Sequence, residues 1–200
     1  IDFTNKTDSG LTLTYNVDLD ADAGTTDDDN SLTIEGGFGK LVLGETDGAS
    51  DAYNINESSL TAEESNGGPA AASATIATST GSKLTGNTNR VSYHLPAMGG
   101  LTAGVSFTDA GTDDTAATQD ITAFGAQYAM EAGGAAITIG GATMTQDTTT
   151  AQDSDSTNYG VKVVSGDLTF IAATAEYEAV GQDEESSGVG AKMQISDGLS

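Results

Sequence analysis

KTDSGLTLTYNVDLDADAGTTDDDN, spanning Lys6 to Asn30, holds a tight turn, a strand and a long acidic connection in immediate succession. At its centre Leu11, Leu13, Tyr15, Val17 and Leu19 alternate with Thr12, Thr14, Asn16 and Asp18. Successive side chains of a β-strand point to opposite faces, so this segment is predicted to be a strand with one apolar and one polar side. KTDSG supplies the Asp, Ser and Gly of a short turn. DADAGTTDDDN, from Asp20 to Asn30, has too little apolar content to be a strand.

The same unit recurs. Short connections at GGFG (Gly36 to Gly39), PAMGG (Pro96 to Gly100), EAGG (Glu131 to Gly134), SGD (Ser165 to Asp167) and SDG (Ser196 to Gly198) alternate with long ones. The long ones are expected at Thr46 to Thr88, Asp109 to Asp120, Gln146 to Thr157 and Ala179 to Ser186. Between them the pattern gives about eleven strands. A meander with short connections at one end and long ones at the other is the plan of an all-β, antiparallel, up-and-down transmembrane β-barrel.

Alternation alone fits a soluble sandwich equally well, because that fold also has one apolar and one polar face per strand. Two features favour the barrel. Nearly every connection fits a neighbour-to-neighbour path, whereas sandwiches change sheet through crossing connections. The second face, with Thr33, Lys40, Arg90, Ser92, His94, Thr102, Ser106 and Thr169, is too polar for a packed core and suits water. Leu41, Leu43, Val91, Tyr93, Val105 and Phe107 are then expected to face lipid. Tyr15, Tyr93, Phe107, Tyr128, Tyr159, Phe170 and Tyr177 lie in or near strand ends, where barrels carry aromatic girdles.

Composition narrows the function. The chain has 200 residues, with 30 Asp plus Glu against 6 Lys plus Arg, a formal net charge of -24. Nucleic acid is excluded as a partner, since phosphate binding depends on cationic side chains. Cations are the natural counterions. With no Cys and one His, neither a His-based triad partner set nor a zinc site can be argued from the sequence. No apolar run approaches the roughly 20 residues of a membrane helix, but a barrel strand needs only about 9–11 alternating residues.

SLTIEGGFGKLVLGETDGASDAY (Ser31 to Tyr53) and NRVSYHLPAMGGLTAGVSF (Asn89 to Phe107) resemble the Gram-negative general porins, particularly the alphaproteobacterial type. Phe38, Gly39, Leu41, Leu43 and Gly44 match the family's strand leading into a long third external loop. Asn89, Val91, Tyr93, Pro96, Gly100, Leu101 and Gly104 match the strand, turn and strand that follow it. The likeness is detailed over Ser31 to Phe107 and architectural elsewhere. It implies a single porin domain over residues 1–200 that is an internal piece of a trimeric pore of about sixteen strands. Ile1 opening directly in a strand-like segment, and Ser200 closing one residue into another, carry the same expectation.

The resemblance makes residues 46–88 the third external loop, folded inward to constrict the channel. Its candidate constriction acids are Asp47, Asp51, Glu57, Glu63 and Glu64. Carboxylates in a narrow aqueous pore lower the energy of cations and raise that of anions. The expected function is a passive, water-filled, cation-preferring channel for small hydrophilic solutes in the bacterial outer membrane. A homotrimer among outer-membrane lipid and lipopolysaccharide is the expected assembly. General porins set an arginine cluster opposite this loop; here the pore-wall candidates are Lys40, Arg90, Ser92 and His94, with Lys83 near the loop's end, so a full arginine cluster is not expected from these strands.

No cofactor is expected, apart from loosely bound calcium. Asp18, Asp20 and Asp22 with Gly24 read D-x-D-x-D-x-G, but an EF-hand places Gly sixth and Glu twelfth, where this chain has Gly seventh and Asp29 twelfth. The alternative function is a secreted or surface-layer calcium-binding β-rich protein, which should show a fixed internal repeat; the glycine-rich nonapeptide of calcium-binding solenoids is missing. An enzyme with paired carboxylates would have Glu176 and Glu178, or Glu63 and Glu64, and neither pair carries a defined separation.

Overall fold

Alternation assigns each side chain a face, and strand register joins those faces into a wall. The computed structural model describes residues 1–17, 30–56, 60, 88–108, 119–148 and 153–194. Its strands are β1 (Asp2–Lys6), β2 (Thr12–Val17), β3 (Asn30–Gly36), β4 (Gly39–Thr46), β5 (Thr88–His94), β6 (Leu101–Thr108), β7 (Gln119–Ala132), β8 (Ala135–Thr148), β9 (Ser154–Ser165), β10 (Leu168–Ala179) and β11 (Gln182–Met193). A short helix, α1 (Ala49–Tyr53), lies between β4 and β5. The strands form one 11-stranded sheet in sequence order, each antiparallel to the next. Among the described residues β1 and β11 are its edges.

Register keeps the two faces separate. Val42 lies opposite Ser92 and Ser92 opposite Ser106, while Leu43 lies opposite Val91 and Val91 opposite Phe107. A slip of one residue would exchange the faces, so the division is strongly specified. Lys40, Arg90, Ser92, His94 and Ser106 share the polar face. The apolar face is the exposed one: Val91, Val105, Phe107, Phe124, Tyr128 and Tyr159 all lie open, as does Val189 at 74%. Such a surface is inverted for a soluble protein and ordinary for one embedded in lipid. Tyr177 departs from the expected girdle, because its partners Ser156 and Glu184 put it on the polar face.

The apolar belt crosses the registers obliquely. The row Tyr15, Leu32, Leu43, Val91, Phe107 is apolar over β2 to β6, then continues as Thr122, Thr145, Asp155, Glu178, Asp183 over β7 to β11. In β10 and β11 the outward apolar pairs have moved toward the end that carries the β9–β10 turn, to Ala172–Val189, Phe170–Ala191 and Leu168–Met193. Antiparallel hydrogen-bond rows run perpendicular to strands, so a belt at constant depth cuts across them only if the strands are tilted. Barrel geometry requires that tilt.

Among the described residues the short turns behave as the sequence predicts; Ser196 to Gly198 lies outside them. Ala132 pairs with Ala135 around Gly133 and Gly134, whose φ values of 61° and 82° fit the two-residue hairpin that matches strand twist. Two expected long connections are shorter than predicted. β10 turns into β11 through Val180 and Gly181 alone, with Ala179 opposite Gln182, so the acidic stretch to Ser186 is strand. β8 likewise runs on to Thr148, and β9 starts at Ser154. Asp, Glu and Gln are poor strand formers, but pairing along the full length of a neighbouring strand overrides that preference where both faces meet water. The connection expected over residues 46–88 is also trimmed: Thr46 and Thr88 pair with one another, so it comprises 47–87 and contains α1.

Candidate pore constriction

Five residues are too few for a helix to persist alone. α1 is held by the wall. It packs against β5, β6, β7 and β8 on their polar face. Gly48 precedes it without a side-chain cap, and one of the first-turn N–H groups that have no partner within the helix goes to the barrel: the Ala49 amide donates to Ser106 Oγ at 2.9 Å. Ala49 and Ser50 are buried, as are Tyr53 and Ile55.

Glycines make the seat. Gly104, Gly125, Gly140 and Gly160 occupy polar-face positions on β6, β7, β8 and β9. A Cβ on Gly104 would lie 2.8 Å from Tyr53 Cε2, on Gly125 2.7 Å from Tyr53 Cβ, and on Gly160 2.6 Å from Ile55 Cβ. On Gly140 it would meet Ile55 Cδ1 at 3.1 Å. Glycine inside a strand weakens it and marks a place where another chain segment comes close.

Polar side chains then fasten the segment. The Tyr53 hydroxyl and His94 Nδ1 are hydrogen-bonded at 2.8 Å, with ring centroids 5.7 Å apart. Gln127 Nε2 donates to the Tyr53 carbonyl at 3.1 Å. Asn158 receives the Ile55 amide on Oδ1 and donates from Nδ2 to the Ile55 carbonyl, each at 3.1 Å. Within the segment Asn54 Nδ2 donates to Asp51 Oδ1 at 3.3 Å, and Asn56 Nδ2 donates to Asn54 Oδ1 at 2.6 Å.

The charges gather at the start of the segment. Asp47 is exposed and Asp51 is half-buried beside it. Burial pushes the Asp51 carboxyl above its usual 3.8, and the charge of Asp47 and a hydrogen bond with it push the same way. The Asn54 amide and the Arg90 guanidinium oppose that rise. Arg90 interacts with both acids and is only 7% exposed. Burial also raises the Tyr53 phenol.

Of the residues expected at the site, Asp47, Asp51 and Arg90 come together on the polar face. Lys40 and His94 are cross-strand partners on that face, and His94 is engaged by Tyr53. Ser92 lies on the wall but is 1% exposed, and its Oγ has no hydrogen-bond partner among the described residues, so it is covered rather than open to a channel. Glu57, Glu63 and Glu64 lie outside the described residues, as do Asp18, Asp20 and Asp22. Among the described residues no group of three His, Cys, Asp or Glu could hold a metal ion. Tyr53, Gln127 and Asn158 were not singled out from sequence, and Ser106 was expected only as a residue of the polar face. Their signal lies in the strand glycines at polar-face phase, in LTAGVSF, AFGAQ, TIGGA and NYGV.

A tilted antiparallel meander with an apolar outer belt, a polar inner face and a connection laid against that inner face defines an outer-membrane β-barrel channel. The chain matches the Gram-negative porin family model over residues 1–199 and belongs to that family. A search of functionally curated proteins returns no match. Solved structures similar to it include OmpT, an outer membrane protein of Vibrio cholerae, folded in vitro, at 16% identity, with 98% of this chain and 73% of that chain covered and a TM-score of 0.49. The anion-selective porin from Comamonas acidovorans is similar at 14% identity over 96% of this chain and 72% of that one, also with a TM-score of 0.49. A mutant of the Rh. blastica porin is 16% identical over 98% and 79%, with a TM-score of 0.46. The protein is a porin channel of the bacterial outer membrane.

Proposed function

We propose that the pore passes small hydrophilic solutes and ions passively, that residues 47–87 form its constriction, and that it prefers cations. One observation carries the reading: Asp47 and Asp51 are held on the polar wall by a segment that glycines, Ser106, Gln127 and Asn158 all fit. A fixed pair of carboxylates in a narrow aqueous passage favours cations over anions. The net charge of -24 acts in the same direction at the mouth, where it raises local cation concentration.

Arg90 tempers the effect without cancelling it, since one guanidinium faces two carboxylates. We further propose a homotrimer, the family's common assembly. Loose calcium on the acidic connections is part of the same proposal, and a shift of melting temperature with calcium tests it. The pore itself is tested by swelling of liposomes that contain the refolded protein in isosmotic sugars. Uptake should fall steadily with sugar size and should not saturate with concentration. Saturable uptake of one sugar would point to a specific carrier site, and no uptake would contradict the pore.

A further inference from the structure

Asn158 occupies the centre of β9 and is fully buried, at 0% exposure. Its amide meets the Ile55 peptide as a neighbouring strand would, accepting from N–H and donating to C=O, each at 3.1 Å. Nδ2 also reaches the Thr174 carbonyl of β10 at 3.4 Å, so the same side chain is tied to the wall. Beside it Gly160 leaves room for Ile55, whose Cβ lies 2.6 Å from where a Cβ on Gly160 would stand. Ile55 itself is 5% exposed. A buried peptide group with no partner is costly, so the segment either rests in this clamp or moves into water.

We propose that Asn158 is the positioning residue that sets the bore of the pore, by clamping the Ile55 peptide and so fixing how far Ile55 and Asn56 stand from the wall. This rests on the constriction reading above and adds its mechanical anchor. The clamp is distinct from the Ser106 contact at the other end of the segment, which holds Ala49 through a single hydrogen bond. Tyr53 stays tied to His94 and Gln127, so release of the Asn158 end lets Ile55 and Asn56 swing about Tyr53, and the open pore gains substates of different conductance.

The experiment compares the full chain, refolded in detergent and in planar bilayers, as wild type, Asn158→Ala, Asn158→Asp and Thr157→Ala, the last an outward-facing control. Hydrogen exchange of the Ile55 amide is read alongside single-channel current. Loss of two hydrogen bonds should speed exchange at Ile55 by about tenfold or more in Asn158→Ala. The same variant should show a larger mean conductance with frequent substates. Asn158→Asp keeps the acceptor but sets a carboxylate against the Ile55 carbonyl, so it should be intermediate in exchange and equally noisy. Thr157→Ala should match the wild type. An Ile55 amide as protected in Asn158→Ala as in wild type overturns the clamp. Faster exchange with unchanged conductance and noise overturns its role in setting the bore. A wild type that folds but carries no current contradicts the pore reading, while the exchange measurement still decides the clamp.

Discussion

Tyr53 and His94 are joined at 2.8 Å between the phenolic oxygen and Nδ1, across 41 positions of chain. This contact pins the end of α1 to β5, near the short-turn end of the wall. Tyr53→Phe removes the bond but keeps the ring against Gly104 and Gly125. The expected loss is about 1 kcal/mol in the seating of the segment, with the barrel itself unaffected. Limited proteolysis within residues 47–87 should quicken, while the heat-modifiable folded band on a gel stays as in wild type.

Acid should weaken cation preference earlier than an ordinary carboxylate would allow. The folded-state value of Asp51 is raised, chiefly by burial and then by Asp47, so the seated segment holds its proton at pH values above 3.8 where the released segment has lost it. Stability of the seated form is therefore greatest below that value and declines as pH rises through the raised one. At neutral pH Asp51 works against the segment's seating. Asp51→Asn should tighten the segment at neutral pH and abolish this limb of the pH profile, measured as Ile55 exchange against pH.

The glycine seat makes a steric prediction. Gly160→Ala places a Cβ within 2.6 to 2.7 Å of Ile55 atoms, and one of them is the backbone oxygen, which cannot rotate away. The segment must lift, at a cost of about 1–3 kcal/mol. Gly166→Ala provides the contrast in space, since nothing lies within 4 Å of it, although its φ of 56° adds local strain in a turn. Only Gly160→Ala should alter single-channel conductance.

Facing can be tested by charge. Leu43→Arg points into lipid from β4 and should cost about 2–4 kcal/mol near mid-membrane, whereas Thr33→Arg on the polar face of β3 should be nearly neutral. Urea titration of refolding into vesicles measures both. The absence of native Cys also permits single-cysteine labelling. Water-soluble maleimide should reach cysteine at 33 and spare cysteine at 43.

The faces were legible because barrel strands obey a strict period of two: Leu13, Tyr15 and Val17 against Thr12, Thr14 and Asn16 need no tertiary information. Strand ends were less so. Gln182 to Ser186 reads as loop from its charges, yet it is paired residue for residue with β10. Asp47 and Asp51 were expected from charge and position in the long connection and Arg90 from its phase, and the three lie near one another. Ser106 was placed on the polar face by the same phase, but its contact with Ala49, like the roles of Asn158 and Gln127, was not legible, because a polar residue on a water-facing strand carries no mark of its distant partner. Gly104, Gly125, Gly140 and Gly160 did carry one. A run of strand glycines on the same face of neighbouring strands is a gap awaiting another segment, but their adjacency emerges only from the register.

The central claim is that carboxylates on the inner wall govern which ions pass. Reversal potential across a planar bilayer under a potassium chloride gradient tests it directly, with wild type beside the Asp47→Asn, Asp51→Asn double variant. The wild type should give a potential of the sign for potassium preference, larger in dilute salt than near 1 M, where the screening length falls to about 3 Å. The double variant should lose much of that potential, or reverse it as these two acids no longer offset Arg90. A wild-type potential near zero or of the chloride sign, or one that the double substitution leaves unchanged, would contradict the claim.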